Sequence, residues 1–148
     1  MAGYVPQAEL VFEIEAVCSP PVDMGWIDGG KARMIPIIGG SVSGPNLQGE
    51  VIPGGADWSI MRDNGVATVD ARYAIRASDG TIIQIDNGVT DHMAPREGRG
   101  DVMAITRPRF IAPEGPHEWL NHGVYVGTLA PAITPDRFAV RIAIFRMT

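Results

Sequence analysis

Asp57 stands directly after Gly54-Gly55-Ala56 and directly before Trp58, and the cluster Asp70-Ala71-Arg72-Tyr73 follows in the next extended stretch. Both clusters set acid, base and aromatic side chains beside residues too small to fill a core, which suits a pocket wall. A carboxylate next to an indole in a partly dry cleft has its charged form disfavoured, and its pKa rises toward the range useful for general acid–base work. Asp57 is therefore the candidate proton carrier. The competing reading is a turn aspartate that caps backbone N–H groups after Pro53-Gly54-Gly55. Strand parity puts Asp70 and Arg72 on one face, with Ala71 and Tyr73 on the other. If the first face is solvated, Tyr73 belongs to the core. If it points inward, Arg72 must be paired and can bind an anionic or enolic oxygen. On that second reading Asp70 and Arg72 join Asp57 as catalytic candidates, Tyr73 is a further candidate that would position the substrate, and Asp57→Asn and Arg72→Ala each abolish turnover.

A second group supplies binding candidates. Trp58 is either core or a platform for substrate. Trp119-Leu120-Asn121-His122 reads as the start of a strand in which Asn121, Gly123, Tyr125 and Gly127 share a face. Two glycines there leave room for a ligand or for close packing, and Asn121 is placed to orient a carbonyl. Tyr125 and His122 belong to the same candidate set. His92 falls in a long polar insert and is either a lid base or an exposed loop histidine. Cys18, the single cysteine, has no adjacent histidine and does not read as a nucleophile.

Several motifs fail on their chemistry. Gly39 to Gly44 has phosphate-loop spacing, but Pro45-Asn46 stands where lysine and a hydroxyl residue are needed. His117-Glu118 opens like a zinc-protease helix, yet Asn121 takes the place of the second histidine. His122 falls on the opposite strand face from His117. No metal site and no cofactor are expected.

The elements that must hold these residues are short strands. Eighteen glycines and twelve prolines are spread along the chain and leave few windows for a long helix. Residues 9–16 alternate, with Leu10, Phe12, Ile14 and Ala16 on one face. Residues 22–31 read as a glycine-rich loop anchored by Trp26. Further strands are expected over 33–42, 47–52, 56–62, 66–77, 81–86, 102–111, 119–129 and 137–147. The first of these is interrupted at Gly39-Gly40, and Pro53-Gly54-Gly55 separates the next two. Asp63-Asn64-Gly65 and Asp79-Gly80 are hairpin signals, and 87–100 is the polar insert. The expectation is an all-β chain with little helix: one domain over 1–148, a single antiparallel β-barrel of about eight to nine strands, calycin-like. Closure removes edges, and Gly-Gly pairs supply the corners that closure needs.

The 148-residue chain carries a net charge of −5, which disfavours nucleic acid as a partner. Of twelve basic residues only Lys31 is a lysine, which fits base composition as well as bidentate pairing. No run of apolar residues is long enough to span a membrane, and no targeting segment is visible, so a cytoplasmic protein without a membrane partner is expected. A homo-oligomer is left open.

At these residues the chain resembles the bacterial and fungal family known as domain of unknown function 3237. The resemblance rests on Gly39-Gly40, Gly44-Pro45, Leu47 with Gly49, Pro53 through Trp58, Asp63, Asp70 through Tyr73, Asp79-Gly80, Trp119-Leu120-Asn121 and Val126-Gly127, and it runs from about residue 8 to 146. It implies a compact antiparallel β-barrel and no settled activity. By fold analogy it points to isomerases, cyclases or lyases acting on small, often aromatic or polyketide-like compounds. The segment 91–100 is shorter and more charged than the resemblance leads one to expect. Three functions compete: a cofactor-independent acid/base enzyme, a binding protein for a small apolar ligand, and a structural module with a filled barrel. The inner surface decides among them.

Overall fold

The computed structural model describes residues 3–94 and 96–148. In chain order the strands are β1 (Ala8–Cys18), β2 (Val22–Ile27), β3 (Gly30–Ser43), β4 (Gly49–Arg62), β5 (Val66–Ala77), β6 (Ile82–His92) and β7 (Ala104–Ile111). A 3-10 turn (Glu118–Asn121) precedes β8 (Tyr125–Pro131) and β9 (Phe138–Met147). From β3 to β9 each strand pairs antiparallel with the next, and β1 joins β9 on one side and the second half of β3 on the other. Eight strands therefore close a ring, and β2 rides outside it on the first half of β3.

Alternation in sequence becomes alternation in burial. Every second residue of β7 is buried, and Ile83 with Ile85 on β6 and Tyr73 with Ile75 on β5 fill the interior beside them. At one end of the ring Phe12, Phe110, Tyr125 and Trp119 form an aromatic chain with centroids 5.7, 5.3 and 6.4 Å apart. The first two contacts are edge-to-face, a geometry that holds better than its area alone predicts. The turns 44–48 and 78–81 and the segment 112–124 gather at this closed end, where His117 Nε2 lies 2.9 Å from the Asp79 carboxylate. The connections 19–21, 63–65, 93–103 and 132–137 gather at the other end, which is the mouth.

Two glycine sites let the sheet roll. Gly40 faces Ala16 of β1 with φ +138, and a Cβ there would come within 1.9 Å of the Glu15 carbonyl oxygen. Gly55 lies against β5, where a Cβ would come within 2.4 Å of Tyr73 Cβ. Both sit in bulges, where the β3–β4 register slips between Ile37 and Ser41 and the β4–β5 register between Ile52 and Ala56. A bulge sharpens local twist, which ring closure requires.

Four expectations need correction. Residues 22–27 are a strand, not a loop, because they pair with β3, and Trp26 is 69% exposed instead of anchored. Pro53-Gly54-Gly55 bulges β4 but does not end it. Leu10 leaves the inner face because the β1–β9 register slips there, so Val11 and Phe12 are both buried. Residues 87–92 continue β6, since Asn87 to His92 pair with β5 as far as Val66.

Candidate functional site

Inside the ring, toward the mouth, a cavity of about 80 Å³ is walled mostly by aliphatic side chains. Its polar members are Asp57, Tyr73, Asn87, Thr106 and Cys18. The strands aim them there by parity. Asp57 pairs with Ile35 on β3 and Ala71 on β5, both of which line the same cavity. Asn87 continues the inward row of Ile83 and Ile85. Thr106 has its space secured by Gly127, where a Cβ would come within 2.5 Å of Thr106 Oγ1.

Asp57 Oδ1 accepts the Asp70 backbone N–H at 2.9 Å. Burial nevertheless raises the pKa of its carboxyl, outweighing that hydrogen bond; the negative charge of Asp70 adds to the rise and the positive charge of Arg33 opposes it. The Cys18 thiol is pushed up to about 11 by burial and by the nearby Asp57 charge, so it stays protonated at neutral pH. Burial likewise raises Tyr73, leaving a neutral hydroxyl. Tyr73 Oη, Asn87 Oδ1 and Thr106 Oγ1 are buried with no hydrogen-bond partner in the protein. Such atoms cost about 1–3 kcal/mol each when left unpaired, so a cavity that gathers three of them is arranged for a polar guest. Chemically, the site offers a proton acceptor whose ionised form is destabilised, a neutral phenol donor, an amide and a hydroxyl.

The sequence candidates separate cleanly. Asp57 and Tyr73 meet in the cavity. Asp70 and Arg72 point outward, because the apolar face of β5 is the one that turns in. The side chain of Arg72 is 71% exposed and stands 3.9 Å from Asp86. It lines an outer groove of about 570 Å³ with Asp86 and Arg109. Of the two readings of this strand the outward one holds for Arg72, the inward guanidinium is absent, and Arg72→Ala should shift stability by no more than about 0.5 kcal/mol in thermal melts. Trp58, one residue from Asp57, faces out and is 45% exposed.

Asn121 does not share a strand face with Tyr125, since 118–121 form a helical turn. It serves instead as a clamp: its Oδ1 accepts from Ala112 N–H at 2.8 Å and its Nδ2 donates to Ala112 C=O at 2.9 Å. Asn121→Ala leaves both backbone groups unpaired and should lower stability by roughly 1–3 kcal/mol in chemical denaturation, with the cavity unaffected. Tyr125 is buried at the closed end, where its hydroxyl donates to the Trp119 carbonyl at 3.1 Å. His122 is exposed near that end, and His92 is exposed at the tip of β6 by the mouth. Among the described residues no three His, Cys, Asp or Glu side chains are grouped to hold a metal ion, and no helix is long and apolar enough to cross a membrane.

Asn87, Thr106 and Arg33 escaped the sequence reading. Each carries a signal, a lone polar residue in the parity row of buried aliphatics: Ile83-Ile85-Asn87, Ala104-Thr106, and Arg33-Ile35-Ile37.

An antiparallel barrel with a small, partly polar interior defines the class of protein. The chain belongs to the family described as "Protein of unknown function (DUF3237)", whose model matches residues 6–147. A UPF0311 protein of Clostridium acetobutylicum is 46% identical over 129 residues, covering 80% of this chain and 82% of that one. A β-barrel-like protein from Acinetobacter baumannii superposes with a TM-score of 0.84 at 24% identity, covering 99% of both chains. A crystal structure described as an enzyme from Penicillium herquei superposes with a TM-score of 0.72 at 22% identity, covering 97% of this chain and 98% of that one.

Proposed function

We propose that this barrel is an enzyme that moves a proton on a small molecule bound at its mouth, of the isomerase, cyclase or lyase type. One observation carries the reading: Asp57 lines a small, mostly aliphatic cavity together with three buried polar atoms that no protein group satisfies. As carboxylate, Asp57 removes a proton from carbon next to a carbonyl. Tyr73 donates a hydrogen bond to the carbonyl oxygen as negative charge grows there, and Asn87 or Thr106 fixes its orientation. The carboxylic acid then returns the proton at another position of the conjugated system, or the carbanion expels a leaving group that takes the proton from the Asp57 acid, so that atoms balance without a co-reactant. At about 80 Å³ the cavity admits only the reacting end of a substrate, because whole-ligand pockets run to several hundred Å³. The same fold carries an enzyme in Penicillium herquei, so catalysis is within its range. The second reading, a carrier of a small apolar ligand, is favoured by the mostly aliphatic wall.

Mass spectrometry of the protein purified natively from its own cells tests the choice. A small molecule retained by Asp57→Asn and converted by the wild type supports the enzyme. Recovery of the same unaltered molecule from both proteins after long incubation selects the carrier.

A further inference from the structure

Directly above the cavity, the longer strands β3 and β4 overhang the mouth and carry β2 with them. They bound a recess of about 410 Å³ lined by Trp26, Lys31, Arg33, Met61, Arg62 and Asp63. Three of these six are cations, and two of the three are already committed. Lys31 stands 3.7 Å from Asp23, and Arg62 stands 2.7 Å from Asp28. Arg33 has no ion-pair partner among the described residues, and its Nε is buried without a hydrogen bond. A guanidinium N–H taken out of water costs free energy until an acceptor meets it, and an anion meets it best.

Arg33 pairs in register with Ser59, two residues from Asp57 on the same face, while Ile35 pairs with Asp57 itself. The recess and the cavity are therefore consecutive storeys of one wall, about 7 Å apart along the strand. That offset is the length of a small ring or a short acyl chain.

Building on the reading of Asp57 as proton carrier, we infer that the recess is a carboxylate subsite: Arg33 receives the anionic group of a small organic acid whose reacting end enters the cavity. The planar fork of arginine accepts both carboxylate oxygens. The exposed Trp26 ring and Met61 offer apolar surface to the part of the molecule between anion and reacting carbon. The substrate class is thus narrowed to carboxylic acids carrying an unsaturated or aromatic portion, and Arg33 becomes the residue that selects them.

Calorimetric titration of the full chain with phenylacetate and its neutral isostere phenylacetamide tests this. The wild type should bind the acid about tenfold more tightly than the amide, the effect of one charge-assisted hydrogen bond. Arg33→Gln should bring the ratio close to one while keeping the amide affinity, and Arg33→Lys should fall between. Equal binding of acid and amide by the wild type, or no detectable binding of the acid at millimolar concentration, overturns the inference. A ratio that survives Arg33→Gln does so too; if that variant does not fold, an unchanged ratio in Arg33→Lys overturns it equally. Asp57→Asn should keep the preference for the acid. A preference that persists beside undiminished turnover in Asp57→Asn would remove the catalytic role of Asp57 and leave the subsite standing.

Discussion

Asp57→Asn is expected to cut turnover by roughly 10²- to 10⁴-fold, the usual share of a positioned general base, while the barrel stays folded. The amide keeps the shape and keeps an oxygen to accept the Asp70 N–H, so the hydrogen bond at 2.9 Å survives. Only the titrating proton is lost. The pH dependence follows from the sign of the shift. Burial raises the Asp57 pKa in the folded protein above its unfolded value. Between those two values the native state holds more protons than the unfolded state, so stability falls as pH rises from the ordinary carboxylate range through the raised pKa. Above that raised pKa the wild type therefore carries a destabilising, partly buried charge that the amide lacks. Asp57→Asn should melt at the same or a higher temperature than the wild type above that pKa, with the gap narrowing as pH falls through it. Wild-type turnover should rise with pH above the ordinary carboxylate range as Asp57 ionises. A variant that unfolds, or turns over normally, is incompatible with the role assigned.

Gly40→Ala should be among the most damaging single-methyl additions available in this chain. The new Cβ would fall 1.9 Å from the Glu15 carbonyl oxygen and 3.2 Å from Ala16 Cα, which are backbone atoms that cannot swing aside. The φ of +138 adds a conformational penalty for any residue with a side chain. Steric and dihedral costs together should reach about 3 kcal/mol or more, read as a lowered denaturation midpoint. Because the clash lies where β3 meets β1, that pairing should open first, visible as fast amide exchange at Glu15 and Ser41. Gly54→Ala makes a useful control: its φ is also positive, at +120, but a Cβ there meets nothing within 4 Å.

Much of the architecture was legible because period-two patterning survives wherever strands run straight. Alternation alone bounds β5 correctly, and the barrel follows from the number of strands and the Gly-Gly corners. The errors cluster at bulges. A one-residue slip at Val11 turns Leu10 outward, and the slip after Ile52 keeps β4 alive through a Pro-Gly-Gly that locally reads as a break. Pairing energy from the neighbouring strand wins over local propensity in both places. The site was half legible for the same reason. Its small and aromatic neighbours mark Asp57 as a pocket residue, and it lines the cavity. Proximity in sequence points to Arg72 for the guanidinium, whereas cross-strand register brings Arg33 to that neighbourhood. Register is a property of two segments at once, and no single window of sequence contains it. Asn121 misled differently: its side chain imitates a strand partner for Ala112, so a residue that looks like a ligand holds a loop.

The seam between β1 and β9 also has a kinetic side. Its ten paired positions join the beginning of the ring to its end, from Ala8 with Met147 to Cys18 with Phe138. No nascent chain can complete the circle until β9 has been made and has travelled back to β1. Contacts so distant along the polymer slow the search, and β-rich topologies of this kind take milliseconds to seconds. Throughout that wait β1 and β8 each present a bare template for a neighbouring molecule. Overproduction at low temperature with chaperone support is therefore expected to raise the yield of soluble protein more than mutations that merely deepen the native well.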